Sequence, residues 1–307
     1  MKQPSASFRP DRERLARDVR RLAMPRHPVA SPHALKEAED LVALELDAAG
    51  FRVERQIFEW RGREFHNVVA TLDGDEPQRP WVVVGAHFDS VAHCPGADDN
   101  ASGVAVMLEV ARLLGAGRPQ GSVQCVGFNL EEVQDYFGNY RIGSRAYVEW
   151  LRRQRARLAG ALVLEMVGFT GPRQVVPATV KLVKRVPDTG SFIAAVGDGE
   201  SQVPLQAFER AADGVLPFVT LAVPLKGWLV PDTRRSDNAR FWDGGFPALM
   251  VTDTADLRNP NYHRVTDTPE TLDYDFLTRV TEVVAVAAAD LAGAWRRSGG
   301  APRAAAT

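Results

Sequence analysis

Three runs, "WVVVGAH" at 81–87, "SVQCVGFNL" at 122–130 and "ALVLEMVGF" at 161–169, lack the polar–apolar alternation of a strand with one wet face. A strand that is apolar throughout has to be covered on both faces, which is the condition of a buried, largely parallel sheet. The intervening segments supply the cover. "SPHALKEAEDLVALELDAAG" reads as a helix with Ser31 at its N-cap, Pro32 in the first turn, Leu35, Ala38, Leu41 and Val42 on one face and Gly50 as its stop. Val104, Met107, Leu108, Ala111 and Leu114 recur at helical spacing up to Gly115, and "SRAYVEWLRRQ" predicts a further helix. "RVERQIFEW" and "FHNVVATL", split by Gly62, predict a hairpin. "FPALMVTDT" predicts a last buried strand, followed by a closing helix from Tyr274 to about Trp295.

Strands alternating with helices give an α/β fold: three layers, α/β/α, around a central mixed, mostly parallel sheet. Residues 1–28 read as an N-terminal helical segment and 29–297 as a single α/β domain. Residues 171–235, punctuated by Pro and Gly, read as an irregular elaboration with one helix and a further strand at "VLPFVTLAV". The tail "SGGAPRAAAT", 298–307, reads as disordered.

In open α/β sheets, ligands bind beyond the carboxyl ends of the strands. Here those ends carry groups that a core cannot accept: His87 and Asp89, Glu131 and Glu132, Glu165, and Asp253. A buried carboxylate without a partner costs several kcal/mol, so such a set requires a cation. Imidazole with carboxylates and no paired cysteines suits Zn²⁺ rather than Mg²⁺ or a thiolate structural site. Two ions sharing one carboxylate would balance the charge and make a hydrolytic centre. Asp98, Asp99 and Asn100 form a turn and cap sequence ahead of the next helix, and Ser236-Asp237 reads as an N-cap before "NARFW". His27, His33, His66 and His93 are not assigned to metal.

"GAHFDSV", "PGADDNASG", "NLEE", "LEMVG", "SDNARFWDGGFPAL" and "NPNYHRVTDTP" stand in the order and spacing of the M28-type zinc aminopeptidase family. That family includes bacterial secreted leucyl aminopeptidases, and glutaminyl cyclases are related to it. The resemblance covers roughly residues 30–295 and implies two Zn²⁺ per chain. It makes His87 and Glu165 ligands of one ion, Glu132 and His263 ligands of the other, and Asp99 the carboxylate between them. Asp89 would orient the His87 ring, Glu131 would be the general base and Tyr262 would donate to the developing oxyanion. The resemblance also implies a cis peptide at Asp99–Asn100. Arg235 is a candidate substrate contact, because the family often places a cation there, and the pocket for the first side chain is expected around Trp228 and Phe241. This sequence departs from many relatives at Glu165, where they carry Asp, and at Asn238, where they carry His. Asn238 is expected on the pocket wall, and Asp98 solvated or hydrogen-bonded in its loop.

The implied activity is a two-zinc exopeptidase that removes N-terminal residues from peptides by a metal-bridging hydroxide. The rivals are a one-zinc glutaminyl cyclase, a binding module that keeps the fold without catalysis, and hydrolysis of a non-peptide amide. A net charge of −2 with interspersed signs carries no basic footprint for nucleic acid or a membrane surface. The expected partner is a peptide or small amide with a free N-terminus, and the sequence leaves the oligomeric state open. The opening residues lack the apolar core of a secretory signal, and Cys94 and Cys125 alone make no disulfide framework. The expected location is the cytoplasm.

Overall fold

The computed structural model describes residues 8–181, 184–293 and 295–297; the predicted tail at 298–307 lies outside them. Eight strands form one sheet: β1 (Arg52–Trp60), β2 (Arg63–Leu72), β3 (Trp81–His87), β5 (Val123–Phe128), β6 (Leu158–Glu165), β7 (Ile193–Asp198), β8 (Phe218–Val223) and β9 (Ala248–Thr252). Their order is β1-β2-β5-β3-β6-β9-β7-β8. The four central strands β5, β3, β6 and β9 run parallel, and β1, β2 and β7 enter antiparallel pairs. The three apolar runs are therefore neighbours in the middle of a mixed sheet.

Helices cover both faces. One face carries α2 (Pro32–Ala48), α3 (Gly103–Gly115), α6 (Gln202–Ala212) and α8 (Tyr274–Leu291), with α1 (Arg12–Leu22) packed on α3 and α8. The other carries α4 (Ile142–Arg153) and α7 (Asn238–Gly244). Period-two geometry divides β3 between them: Val82, Val84 and Ala86 join the first core, and Val83 joins the second. Leu15, Val19 and Leu22 of α1 belong to the first core, so the N-terminal helix is packed into the molecule. A short helix α5 (Ala178–Lys181) stands in the elaboration, and β4 (Gly117–Pro119) pairs with β10 (Trp295–Arg297). Among the described residues, no helix is long and apolar enough to cross a membrane.

Three local expectations are corrected. Ser31 stands at the N-cap of α2, but its hydroxyl accepts from the His27 amide at 2.8 Å and makes no cap bond. The closing helix ends at Leu291, where Gly293 takes φ 94°, a left-handed value that glycine adopts without strain. The elaboration is less irregular than its composition: β7 and β8, joined through α6, extend the sheet beyond β9. The apolar stretch that makes β7 is short and its surroundings are rich in Pro, Gly and charge, which masked it as a strand.

Candidate metal centre

Parallel pairing delivers the carboxyl ends of β5, β3 and β6 to one edge, and the chemistry gathers there. His87 ends β3 and is buried. Its Nε2 lies 3.4 Å from Asp99 Oδ1 and 3.5 Å from Glu165 Oε2. On the far side of Asp99, His263 Nε2 lies 3.1 Å from Asp99 Oδ2 and 3.3 Å from Glu132 Oε1. The two oxygens of one buried carboxylate thus face two separate His–Glu pairs. Asp99 Oδ1 has no hydrogen-bond partner. Glu131 is buried beside both, its carboxylate within 4.8 Å of donor atoms of His87 and Glu132.

Neighbouring groups hold this set in place. His87 Nδ1 donates to the Asp89 main-chain carbonyl at 3.2 Å, which leaves Nε2 free to act as a ligand. The Asp89 carboxylate stands 3.5 Å from the same nitrogen and accepts from the amides of Glu131 and Glu132 at 3.0 Å each. Asp89 therefore ties the end of β3 to the Glu131-Glu132 segment as well as facing the ring. The Asp99–Asn100 peptide is cis. Asn100 donates to the Leu164 carbonyl and accepts from the Met166 amide, which pins the loop against the end of β6. Asp267 accepts from the amides of Asp98 and Asp99 at 2.8 and 3.1 Å, a role that its place in "RVTDTP" did not announce.

The charges are frustrated. Burial pushes Glu132 up to about 8, with the Asp99 charge adding to it. Burial and the Glu132 charge hold Glu131 well above the usual carboxylate range. Burial alone would lower His263, but Asp99 and Glu132 outweigh it and push the imidazole up to about 10. His87 is likewise raised, because Glu165, Asp89 and Asp99 outweigh its burial. Asp99 is held low against its burial by the two histidines. Without a cation among them, these acids are answered largely by protons retained on the glutamates and on the rings.

Tyr262 stacks on the His263 ring with centroids 3.8 Å apart. Its hydroxyl accepts from Arg235 Nη2 at 3.2 Å, and Arg235 Nη1 pairs with Asp256 at 2.8 Å. Burial, with the charges of Asp99 and Glu132, raises the Tyr262 phenol and keeps it protonated. Glu165, Arg235 and Tyr262 open onto a mostly apolar cleft, lined by Val180, Phe192, Val196, Leu221, Val230 and Met250. The elaboration and β9 build that cleft.

Other expected residues stand elsewhere. Phe241 is 0% exposed and packs edge-on against Phe128 in the core beneath α7. Trp228 is 66% exposed under the Arg234 guanidinium, 4.0 Å away, and does not line the cleft. Both were expected from a span of sequence whose aromatic residues point away from the site. Asn238 is buried and donates to the Thr233 carbonyl, off the cleft wall. Ser236 makes no cap; its hydroxyl donates to Glu165 Oε2 at 2.6 Å, and Asp237 at the cap position makes no cap bond either. Asp98 is buried, not solvated, and accepts from the Gly168 amide and the Asn259 side chain. Asp253 accepts from the amides of Phe169 and Ala255, so these two acids brace loops around the end of β6 and stand outside the metal-type clusters.

The model of the family described as "Peptidase family M28" matches residues 67–288. The chain belongs to this family. Of its relatives, the uncharacterized protein YfbL of Escherichia coli is 30% identical over 293 residues, covering 92% of this chain and 88% of that one. A probable zinc metalloprotease of Pyricularia oryzae is 32% identical, covering 74% of this chain and 50% of its own length. Leucine aminopeptidase 1 of Trichophyton rubrum is 28% identical, covering 71% of this chain and 56% of that one. The chain thus spans only about half the length of these two fungal relatives. The M28 fold is also seen in a solved aminopeptidase from Aneurinibacillus sp. strain AM-1, with a TM-score of 0.71 at 18% identity over 94% of this chain and 95% of that one. A glutaminyl cyclase from Tannerella forsythia shares the fold with a TM-score of 0.66 at 20% identity, over 90% and 97% of the two chains.

Proposed function

We propose that this M28 peptidase is a two-zinc aminopeptidase that removes apolar N-terminal residues from peptides. The observation that carries the reading is the spacing of the donor atoms. Four ligands at the usual zinc distances of ~2.0–2.1 Å, set tetrahedrally, lie about 3.3–3.4 Å from one another. The contacts of Asp99 with the two histidines, and of each histidine with its glutamate, span 3.1 to 3.5 Å. Most are too long for good hydrogen bonds, which favour about 2.7–3.2 Å, and they fit donors turned toward a common centre. The unpartnered Asp99 Oδ1 and the raised Glu131 and Glu132 ask for the same cations. His87, Glu165 and Asp99 would hold one zinc, and Glu132, His263 and Asp99 the other.

Zinc bound there supplies Lewis acidity toward the scissile carbonyl and acidifies water. The protein's own groups do the rest. Glu131, buried between the two trios, takes the proton of the attacking water and passes it to the leaving amine. Arg235 donates to the Tyr262 oxygen, so the phenol proton is free to point at the oxyanion. Glu165, which lies where the cleft meets the metal-type cluster, faces the place where a substrate ammonium would sit. The apolar cleft takes the first side chain.

Replacing Glu131 by Gln keeps the shape and removes the proton acceptor. Loss of a general base costs about 10²–10⁴ in rate. The E131Q protein should retain its zinc and lose turnover of leucyl anilide; near-normal turnover with full zinc content would move the base elsewhere. N-acetylated and glutaminyl peptides belong in the same panel. Cleavage of acetylated peptides at the rate of free ones would make the protein a broader amidohydrolase. One zinc with pyroglutamyl product would make it a cyclase.

A further inference from the structure

Arg26 lies outside the residues that match the family model, yet it reaches the loops that carry His87 and Asp99. Its side chain is 0% exposed. Nε donates to the Phe88 carbonyl at 2.7 Å, and Nη1 donates to the carbonyls of Met24 and Pro95 at 2.8 Å each and to that of Leu22. Nη2 donates to the Gly96 carbonyl at 3.1 Å. The main chain joins in: the Arg26 amide donates to Ser90 Oγ at 2.9 Å and the Ser90 amide donates to the Arg26 carbonyl at 3.1 Å.

Two of these partners matter for chemistry. Phe88 follows His87 directly, and Pro95-Gly96 is the turn that leads into Asp98 and Asp99. One rigid guanidinium therefore ties the loop end that carries His87 to the turn that presents Asp99. The turn is closed tightly over it. Gly96 has φ 63°, and a Cβ there would stand 2.3 Å from the Asp99 carbonyl oxygen and 3.0 Å from Arg26 Nη2. Burying a guanidinium costs several kcal/mol unless other charges and dipoles answer it. Here the carbonyls receive its protons, and the charges that favour it most are those of Asp89, Asp99 and Asp267, the same acids that build and brace the metal-type site.

We propose that Arg26 is a positioning residue of the metal centre, which sets the His87–Asp99 spacing and supplies a permanent positive charge beneath the carboxylates. The proposal rests on the two-zinc reading above. A simple tether would need only an uncharged donor; a guanidinium holds two loops from opposite ends of a planar fork and adds a charge that stays in place whether or not zinc is bound. Lysine keeps the charge but donates from one point, so it cannot span both loops as arginine does. Methionine keeps bulk and loses charge and donors together.

The test compares the unaltered protein with Arg26→Lys and Arg26→Met. Zinc affinity is measured by competition with a chromophoric chelator, kcat and KM on leucyl anilide, and folding by circular dichroism and thermal melting. Outer supporting groups of metal ligands are worth about 10–100-fold in metal affinity or activity. Arg26→Lys should fold, bind at least one zinc about tenfold or more weakly and lose kcat at nearly constant KM, with excess zinc restoring part of the rate; Arg26→Met, where it folds, should lose more. If Arg26→Lys melts earlier but keeps zinc affinity and kcat within about twofold, Arg26 is a tether and nothing more. That result leaves the two-zinc reading standing. An unaltered protein that takes up no zinc overturns both.

Discussion

Stripping the metal should reverse the pH dependence of stability. Glu132 has an ordinary value of 4.5 and is pushed up to about 8 in the folded chain by burial and Asp99. Between those values the folded protein holds a proton on Glu132 that the unfolded chain has released, so stability falls as pH rises, by about 1.4 kcal/mol per pH unit. From about pH 5.5 to 7.5 the loss is roughly 3 kcal/mol. His263 acts in the same direction above its ordinary 6.5 and up to about 10, because a raised imidazole stabilises the fold only while it keeps its proton. Its side chain is 35% exposed, so water screens its share and it adds a fraction of the Glu132 effect. Glu131, also raised, steepens the slope. At roughly 2–4 °C per kcal/mol, Tm of chelator-treated protein should drop by about 6–12 °C across that window. Zinc needs deprotonated ligands, so the zinc-loaded protein should instead gain stability as pH rises. Differential scanning calorimetry from pH 5.5 to 7.5, with chelator and with excess zinc, reads both slopes. Glu132→Gln should flatten the chelated slope. A stripped protein whose Tm is flat or rises over this window would refute the charge frustration on which the metal assignment leans.

Tyr262→Phe should lower kcat by about 10²–10³ with little change in KM, as removal of an oxyanion donor does, and Arg235→Ala in that background should add little if Arg235 acts through the phenol; a double-mutant cycle in kcat decides it. Val180→Trp would fill the rim of the cleft, so KM for leucyl and phenylalanyl anilides should rise about tenfold or more while alanyl anilide is spared. Phe241→Ala should cost about 3–5 kcal/mol by urea unfolding and leave KM unchanged, as suits a core residue; a selective KM change would return Phe241 to the pocket.

The reach of the sequence follows from how each group is held. His87, Glu131, Glu132 and Glu165 were legible because each follows or ends an apolar strand, and parallel pairing of β5, β3 and β6 makes three separate strand ends one place. Sequence position alone fixes such convergence once the sheet is known. Asp253 shows the limit of the same logic: it also follows a parallel strand, yet β9 lies one strand further out and its carboxylate turns to the amides of Phe169 and Ala255. Asp99 and His263 lie on loops, and only the ordered set of motifs pointed to them. The supporting groups were hidden for a different reason. Ser31 and Ser236 each sit where a cap is expected, but a hydroxyl can accept or donate, and the His27 amide, which donates to Ser31, or the Glu165 carboxylate, which accepts from Ser236, takes it instead. The cleft was legible only in part: the region around Trp228 contributes Val230, Thr233 and Arg235, but Trp228 and Phe241 themselves stay off the wall, and the rest comes from Phe192, β7, β8, β9 and the segment around Val180. Any residue whose role is to receive or donate one bond to a loop 60 or more positions away, as Arg26 does to Phe88 and Gly96, leaves no local pattern, and it became visible only when the fold brought those carbonyls around it.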